Sequence, residues 1–221
     1  MKIVITGDTI QSFGVCQKGV IQTNPNGSSR TLEFRTMVQA LNSIGLRVIV
    51  DVVYNHLHAS GPNDKDSILD KVVPGYYLRR NTDGLVENST CVNNTSSEHY
   101  IVNRLIIDDL LLWATEYKVD GFRFDLMGHL ITMVSARNAL DRLSTEKNGA
   151  DGTKIYMYGE GWDFGEVAHN GRGIKASQLN LTETGVVRQK KQVDPTVETA
   201  KRMMISLKDW RQRKASDCYD K

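Results

Sequence analysis

A repeating order of apolar runs constrains this chain more than any other feature. Leu46-Arg47-Val48-Ile49-Val50-Asp51-Val52-Val53 is a β-branched run typical of a strand covered on both faces. Val119-Asp120-Gly121-Phe122-Arg123-Phe124-Asp125 is a second strand candidate, and Ile155-Tyr156-Met157-Tyr158-Gly159-Glu160 a third. Stretches with helical spacing lie between them. Ser28-Ser29 can cap a helix whose apolar residues Phe34, Met37, Val38, Leu41 and Ile44 share one face, with Gly45 as its stop. Thr95-Ser96-Ser97-Glu98 has the form of a capping box, and the helix it opens buries Val102, Leu105, Ile106, Leu110 and Trp113. A weaker helix follows from about Leu130 to Glu146. Strands separated by helices pair in parallel through right-handed crossovers, so the expected fold is α/β.

Composition narrows the class without naming a function. With 221 residues, 40% of them apolar and 24% charged, the chain can build one core; a disordered chain and a disulfide-stapled mini-protein are excluded. No apolar run approaches the roughly 18 residues of a membrane helix. The segment Met1 to Asp8 is too short in apolar residues for a signal peptide. The net charge is +2, but residues 186–221 hold ten Lys/Arg against five Asp/Glu. A nucleic-acid arm would interleave aromatics with such charge, and only Trp210 and Tyr219 are there, so a solvated tail is expected and no nucleic-acid partner. Cys16, Cys91 and Cys218 are odd in number, far apart and without metal-ligand spacing, which predicts reduced thiols. Five N-x-S/T patterns begin at Asn26, Asn88, Asn93, Asn94 and Asn180, and read as chance in a segment rich in those residues.

The chemistry-bearing residues gather where the strands end. The first strand runs into Asp51, Asn55 and His56, the second carries Arg123 and Asp125, and the third stops at Glu160. In parallel α/β barrels the C-terminal strand ends face the active site. Neighbouring strands lie about 4.8 Å apart, so carboxylates at their ends could sit about 5–5.5 Å apart, the separation used by retaining glycosidases. Arg123 shares a face with Asp125 under period-two alternation and could hold it ionised and aimed. Glu160, flanked by Gly159 and Gly161, would need partial desolvation to act as an acid. Taken singly, an Asp after a strand commonly caps a helix and a loop Glu is commonly solvated; the joint pattern carries the inference. The stretch of about forty residues from His56 to Thr95, rich in Asn, Asp, Gly and Ser, is long for a connection and reads as functional or disordered.

Asp51-Val-Val-Tyr-Asn-His56, Gly121-Phe-Arg-Phe-Asp125 and Gly159-Glu-Gly-Trp162 resemble, in order and spacing, three consecutive regions of glycoside hydrolase family 13, the α-amylase superfamily. Asp125-Leu-Met-Gly-His129 and Tyr158-Gly-Glu-Gly-Trp-Asp163 look like the pullulanase-type debranching branch. Pro74 to Gly84 and Thr90 to Thr95 are similar to plant limit dextrinases. The resemblance covers about Asn24 to Asn180. It implies a partial (β/α)8 barrel spanning about strands three to five, acting on α-1,6 branch points of starch-derived dextrins by a retaining double displacement. It also implies Asp125 as nucleophile, Glu160 as general acid/base and Arg123 as the residue orienting the nucleophile. Asp51, Asn55, His56, His129 and Trp162 would contact substrate, with Trp162 stacking on a glucose ring. The resemblance implies a plastid setting and no organic cofactor, and no calcium site is legible in the sequence.

The pattern also breaks. The family's fourth region, a His-Asp pair whose Asp stabilises the transition state, has no counterpart, because no His-Asp dipeptide occurs in the chain. The expected organisation is an N-terminal segment over 1–27, part of a catalytic barrel over 28–185 and a basic tail over 186–221 with one helix at about 196–215. The expected product is a truncated, inactive form of a debranching enzyme. Open sheet edges and an apolar inner face would then need cover, by self-association or otherwise. Two alternatives remain at this point: a non-catalytic glucan-binding remnant, and an isoamylase- or α-amylase-like glycosidase.

Overall fold

The computed structural model describes residues 2–6 and 28–188. The expectations for Cys16, Cys218, the pattern at Asn26 and the tail helix lie outside these residues. Four strands, β1 (Lys2–Thr6), β2 (Arg47–Val53), β3 (Gly121–Asp125) and β4 (Tyr156–Gly159), form one parallel sheet in that order. The helices are α1 (Ser29–Ser43), α2 (Leu69–Val72), α3 (Tyr100–Thr115), α4 (Leu130–Asp141), α5 (Thr145–Asn148) and α6 (Gln178–Glu183). The alternation read from the sequence is therefore realised, with every strand pair parallel.

Period two divides the sheet's residues between two faces. Val48, Val52, Phe122, Phe124 and Met157 lie on one face and join the core with Val102, Ile106, Leu110, Met133, Ala136 and Leu140 of α3 and α4. Phe34 of α1 meets the Trp113 ring edge-on at 5.4 Å and Tyr117 at 5.7 Å, which ties the first helix to the third. The other face carries Ile49, Asp51, Arg123 and Tyr158, so towards the C-terminal strand ends it is polar rather than the open apolar surface expected. Ile49 is nevertheless fully buried, because Gly121 leaves room into which Ile49 and Tyr156 lean.

Local corrections follow from partners that the sequence does not reveal. Ile44 falls beyond the end of α1 and is 70% exposed, and Gly45 turns the chain at φ +81°. The capping box at Thr95 does not form. The Thr95 hydroxyl donates to the Tyr54 carbonyl and Glu98 binds Arg79, so α3 begins four residues later than a box at Thr95 requires, with His99 as its N-cap. The weak helix divides in two at Ser144, whose hydroxyl caps α5. The long stretch after His56 is folded: it contains α2 and the antiparallel bridges His56–Asn94, Leu78–Thr95 and Arg80–Val86. Among the described residues no helix is long and apolar enough to cross a membrane.

Gly159 is the tightest point of the sheet near its functional end. A Cβ there would lie 2.2 Å from the Phe124 carbonyl oxygen and 2.8 Å from its nitrogen. Gly159→Ala must push β4 away from β3 and should cost about 1–3 kcal/mol, as overpacking typically does. Urea unfolding monitored by circular dichroism checks this; an unchanged midpoint would show that β4 moves freely.

Candidate active site

Parallel register brings the polar strand ends into one row. Asp51 lies opposite Arg123, and Arg123 opposite Tyr158; one step further, Val53 lies opposite Asp125. Past the strand the Glu160 amide donates to the Phe124 carbonyl at 2.9 Å, which extends the pairing to the residue that carries the third carboxylate. The turn after β3 is bent back by Leu126, whose φ of +50° is uncommon for a side chain of its size. That bend lets the Met127 amide donate to the Glu160 carbonyl at 2.9 Å, locking the Asp125 turn to the end of β4.

Arg123 is the centre of the site. Its side chain is 8% exposed, and Nη1 donates to Asp51 Oδ1 at 2.9 Å and to Asp125 Oδ1 at 3.3 Å, while Nη2 donates to the Glu160 carboxylate. One cation thus faces three carboxylates. Burial disfavours its charge, but the hydrogen bond and charge of Asp51, with the charges of Glu160 and Asp125, prevail and hold its pKa above the ordinary value. Burial pushes the Glu160 carboxyl up, and the Asp125 charge adds to this; Arg123 and the Trp162 indole N–H, 3.5 Å from Oε2, pull the other way. The Tyr158 phenol is pushed up by burial and by Asp51. A carboxyl that keeps its proton more readily than usual, beside a second carboxylate on the same guanidinium, is equipped for general acid chemistry.

Other expected residues join this group from the flanking loops. Asn55 Nδ2 donates to the Asp125 carbonyl at 2.7 Å. Its Oδ1 lies 2.6 Å from His56 Nδ1, and since an amide oxygen only accepts, the His56 proton is on Nδ1. Trp162 packs against Phe164 with ring centres 5.3 Å apart. His129 stands apart. It is the N-cap residue of α4, buried at 3% exposure, with Nδ1 3.1 Å from Ser97 Oγ and Nε2 2.9 Å from the Arg172 carbonyl. It lines a cavity of about 20 Å³ shared with Asn55, Asp125 and Glu166, enough for about one water molecule.

Tyr158, Glu166 and Arg79 are absent from the sequence-based set. Tyr158 was recoverable by counting back two residues from Glu160, as Arg123 is from Asp125. Glu166 and Arg79 give no local signal, since they meet across 87 residues of chain. Among the described residues no group of three or more His, Cys, Asp or Glu side chains could hold a metal ion.

No family model matches the chain. It is 67% identical over 171 residues to pullulanase 1, chloroplastic, of Arabidopsis thaliana, covering 76% of this chain and 18% of that protein. It is 45% identical over 173 residues to pullulanase of Klebsiella pneumoniae, covering 76% and 15%. The crystal structure of Klebsiella pneumoniae pullulanase complexed with maltotriose superposes with a TM-score of 0.64 at 45% identity, covering 72% of this chain and 14% of that one. The chain therefore spans less than a fifth of the length of these relatives.

The electrostatics give a direct test. Asp125→Asn removes a charge that raises the Glu160 pKa, so the Glu160 titration should move down; Trp162→Phe removes a donor to the carboxylate and should move it up. A ¹³C-carboxyl NMR titration reads both. Because a raised pKa in the folded state means that the folded chain binds the extra proton, stability should fall as pH rises through the interval between the ordinary and the raised value. Glu160→Gln should flatten that slope, and a slope unchanged in this variant would assign it to another group.

Proposed function

The chain is related in sequence and in fold to pullulanase-type starch debranching enzymes, and on that premise we propose that it carries the acid and nucleophile of an α-1,6-glucosidase site. The observation that supports this reading most directly is one guanidinium, Arg123, in contact with Asp51, Asp125 and Glu160 at the ends of three adjacent parallel strands. In this reading β2, β3 and β4 are strands three to five of a (β/α)8 barrel, with β1 in the place of strand two.

The proposed reaction is a retaining double displacement on dextrins or pullulan. Glu160 leaves Arg123 and gives its proton to the glycosidic oxygen as Asp125 attacks the anomeric carbon, forming a glycosyl ester. Glu160 then takes a proton from the water that hydrolyses the ester, which restores both carboxyl groups. Arg123 aims Asp125 throughout. Trp162, beside the acid, stacks on a glucose ring, and Asp51, Asn55 and His56 line the sugar-binding side. Burial of His129 suits an indirect role, in which it fixes the turn from Asp125 to Gly128 instead of touching sugar. The chloroplastic relative supports a plastid setting.

The same reading predicts little catalysis by the 221 residues alone. Family resemblance calls for a further Asp that stabilises the transition state, and the sequence has no matching His-Asp pair. Loss of one such preorganised partner typically costs ~10²–10³ in rate. Reducing-sugar release from pullulan should therefore not exceed that of the Glu160→Gln variant, and a clear excess would overturn this expectation. The roles themselves are tested by grafting residues 28–187 into the matching stretch of the Klebsiella pneumoniae pullulanase. Asp125→Asn in that chimera should lower debranching by ~10⁴ or more; unchanged activity would remove Asp125 from the nucleophile's role.

A further inference from the structure

A second ionic cluster joins the segment that carries His56 to the one that carries Trp162. Its centre is Glu166, in the 3₁₀ turn Gly165–Asn170, with a side chain 7% exposed. One carboxylate oxygen meets Arg79 Nη1; the other accepts from Ser89 Oγ at 3.0 Å and Asn94 Nδ2 at 2.9 Å. Arg79, 4% exposed, grips Glu98 along its other edge through Nε at 2.8 Å and Nη2. The Arg79 amide also donates to the Asn94 carbonyl at 2.8 Å. Asn94, fully buried, forms the antiparallel bridge with His56. Its neighbour Asn93 accepts from the Leu57 amide at 3.1 Å and donates from Nδ2 to the Leu57 and His58 carbonyls. Hydrogen bonds through Asn94 and its chain neighbour Asn93 therefore link Glu166, four residues past Trp162, to the backbone beside His56.

The bland reading is a solvated loop charge or a stabilising ion pair. Burial of Glu166 and Arg79 excludes the first. The second is weak, because desolvation largely offsets the attraction within buried ion pairs, whose best-attested use is to fix one geometry. We propose that Glu166 is a positioning residue, which through Arg79 and Asn94 sets the spacing between the His56 and Trp162 segments so that both can meet one sugar. Its purpose rests on the glycosidase reading above; the mechanical coupling does not.

The test uses the 221-residue chain with Glu166→Ala and, since that change strands a buried arginine, the paired change Arg79→Met with Glu166→Gln. Amide exchange at Leu57, Arg79 and Asn94 should accelerate by about tenfold or more in Glu166→Ala, the scale expected for lost charged hydrogen bonds. The amides of Phe122 and Phe124 should stay protected. The His56 ring and Trp162 indole NMR signals should shift together in both variants. A variant in which one of the two signals stays in place overturns the proposal. So does equal acceleration of the β3 amides, or loss of the fold in both variants, since either makes the cluster a matter of stability alone. Maltotriose titration separates the two readings: a wild-type chain that does not respond to it counts against the glycosidase assignment, while exchange and signal shifts still decide the coupling.

Discussion

The site depends on a charge imbalance held in a small space. Arg123 supplies one positive charge to three carboxylates, and their backbones are fixed by parallel strands that cannot spread without breaking their ladder. Repulsion left uncompensated by one guanidinium must appear somewhere. At Glu160 burial and the neighbouring Asp125 charge together raise proton affinity, against the pull of Arg123 and the Trp162 indole. The fold thus turns a geometric constraint into a raised proton affinity at one carboxyl group.

How legible this was in the sequence depended on how local the cause was. The strands and their parallel order followed from β-branched runs and helical spacing, both readable over a few residues. The carboxylates and Arg123 were readable because strand ends and period two place them by counting. Helix boundaries were less so: Thr95 and Glu98 satisfy the pattern of a cap, yet each found a stronger partner in Tyr54 and Arg79. Only the folded loop could reveal that competition. His129 was singled out by its motif, whereas its burial depends on Ser97 and Arg172, both distant in sequence. The stretch from His56 to Thr95 read as functional or disordered on its length, because its order arises from hydrogen bonds and ion pairs to a turn some seventy residues further on.

That stretch also shows how polar sequence can behave like a core. Arg79, Asn94 and Thr95 are as buried as the valines beneath the sheet. A segment assembled in this way has high directional demands and little tolerance for near misses, since each donor left without its acceptor in a buried place costs more than a lost apolar contact. The helices under the sheet can exchange one aliphatic residue for another; the loop above it has fewer acceptable substitutions.

The side-chain amide of Asn94 is enclosed between Ser89 and Glu166, and that of Asn180 is bonded to the Lys175 carbonyl. Both residues begin tripeptides that an oligosaccharyltransferase could accept in an extended chain. A sugar attached to Asn94 before folding would replace one of the two hydrogens that its nitrogen donates, to Ser89 and to Glu166. The order of events in the cell therefore matters to this polypeptide: a route past that enzyme while unfolded would leave a permanent covalent obstacle to the native loop, and a compartment without it removes the conflict.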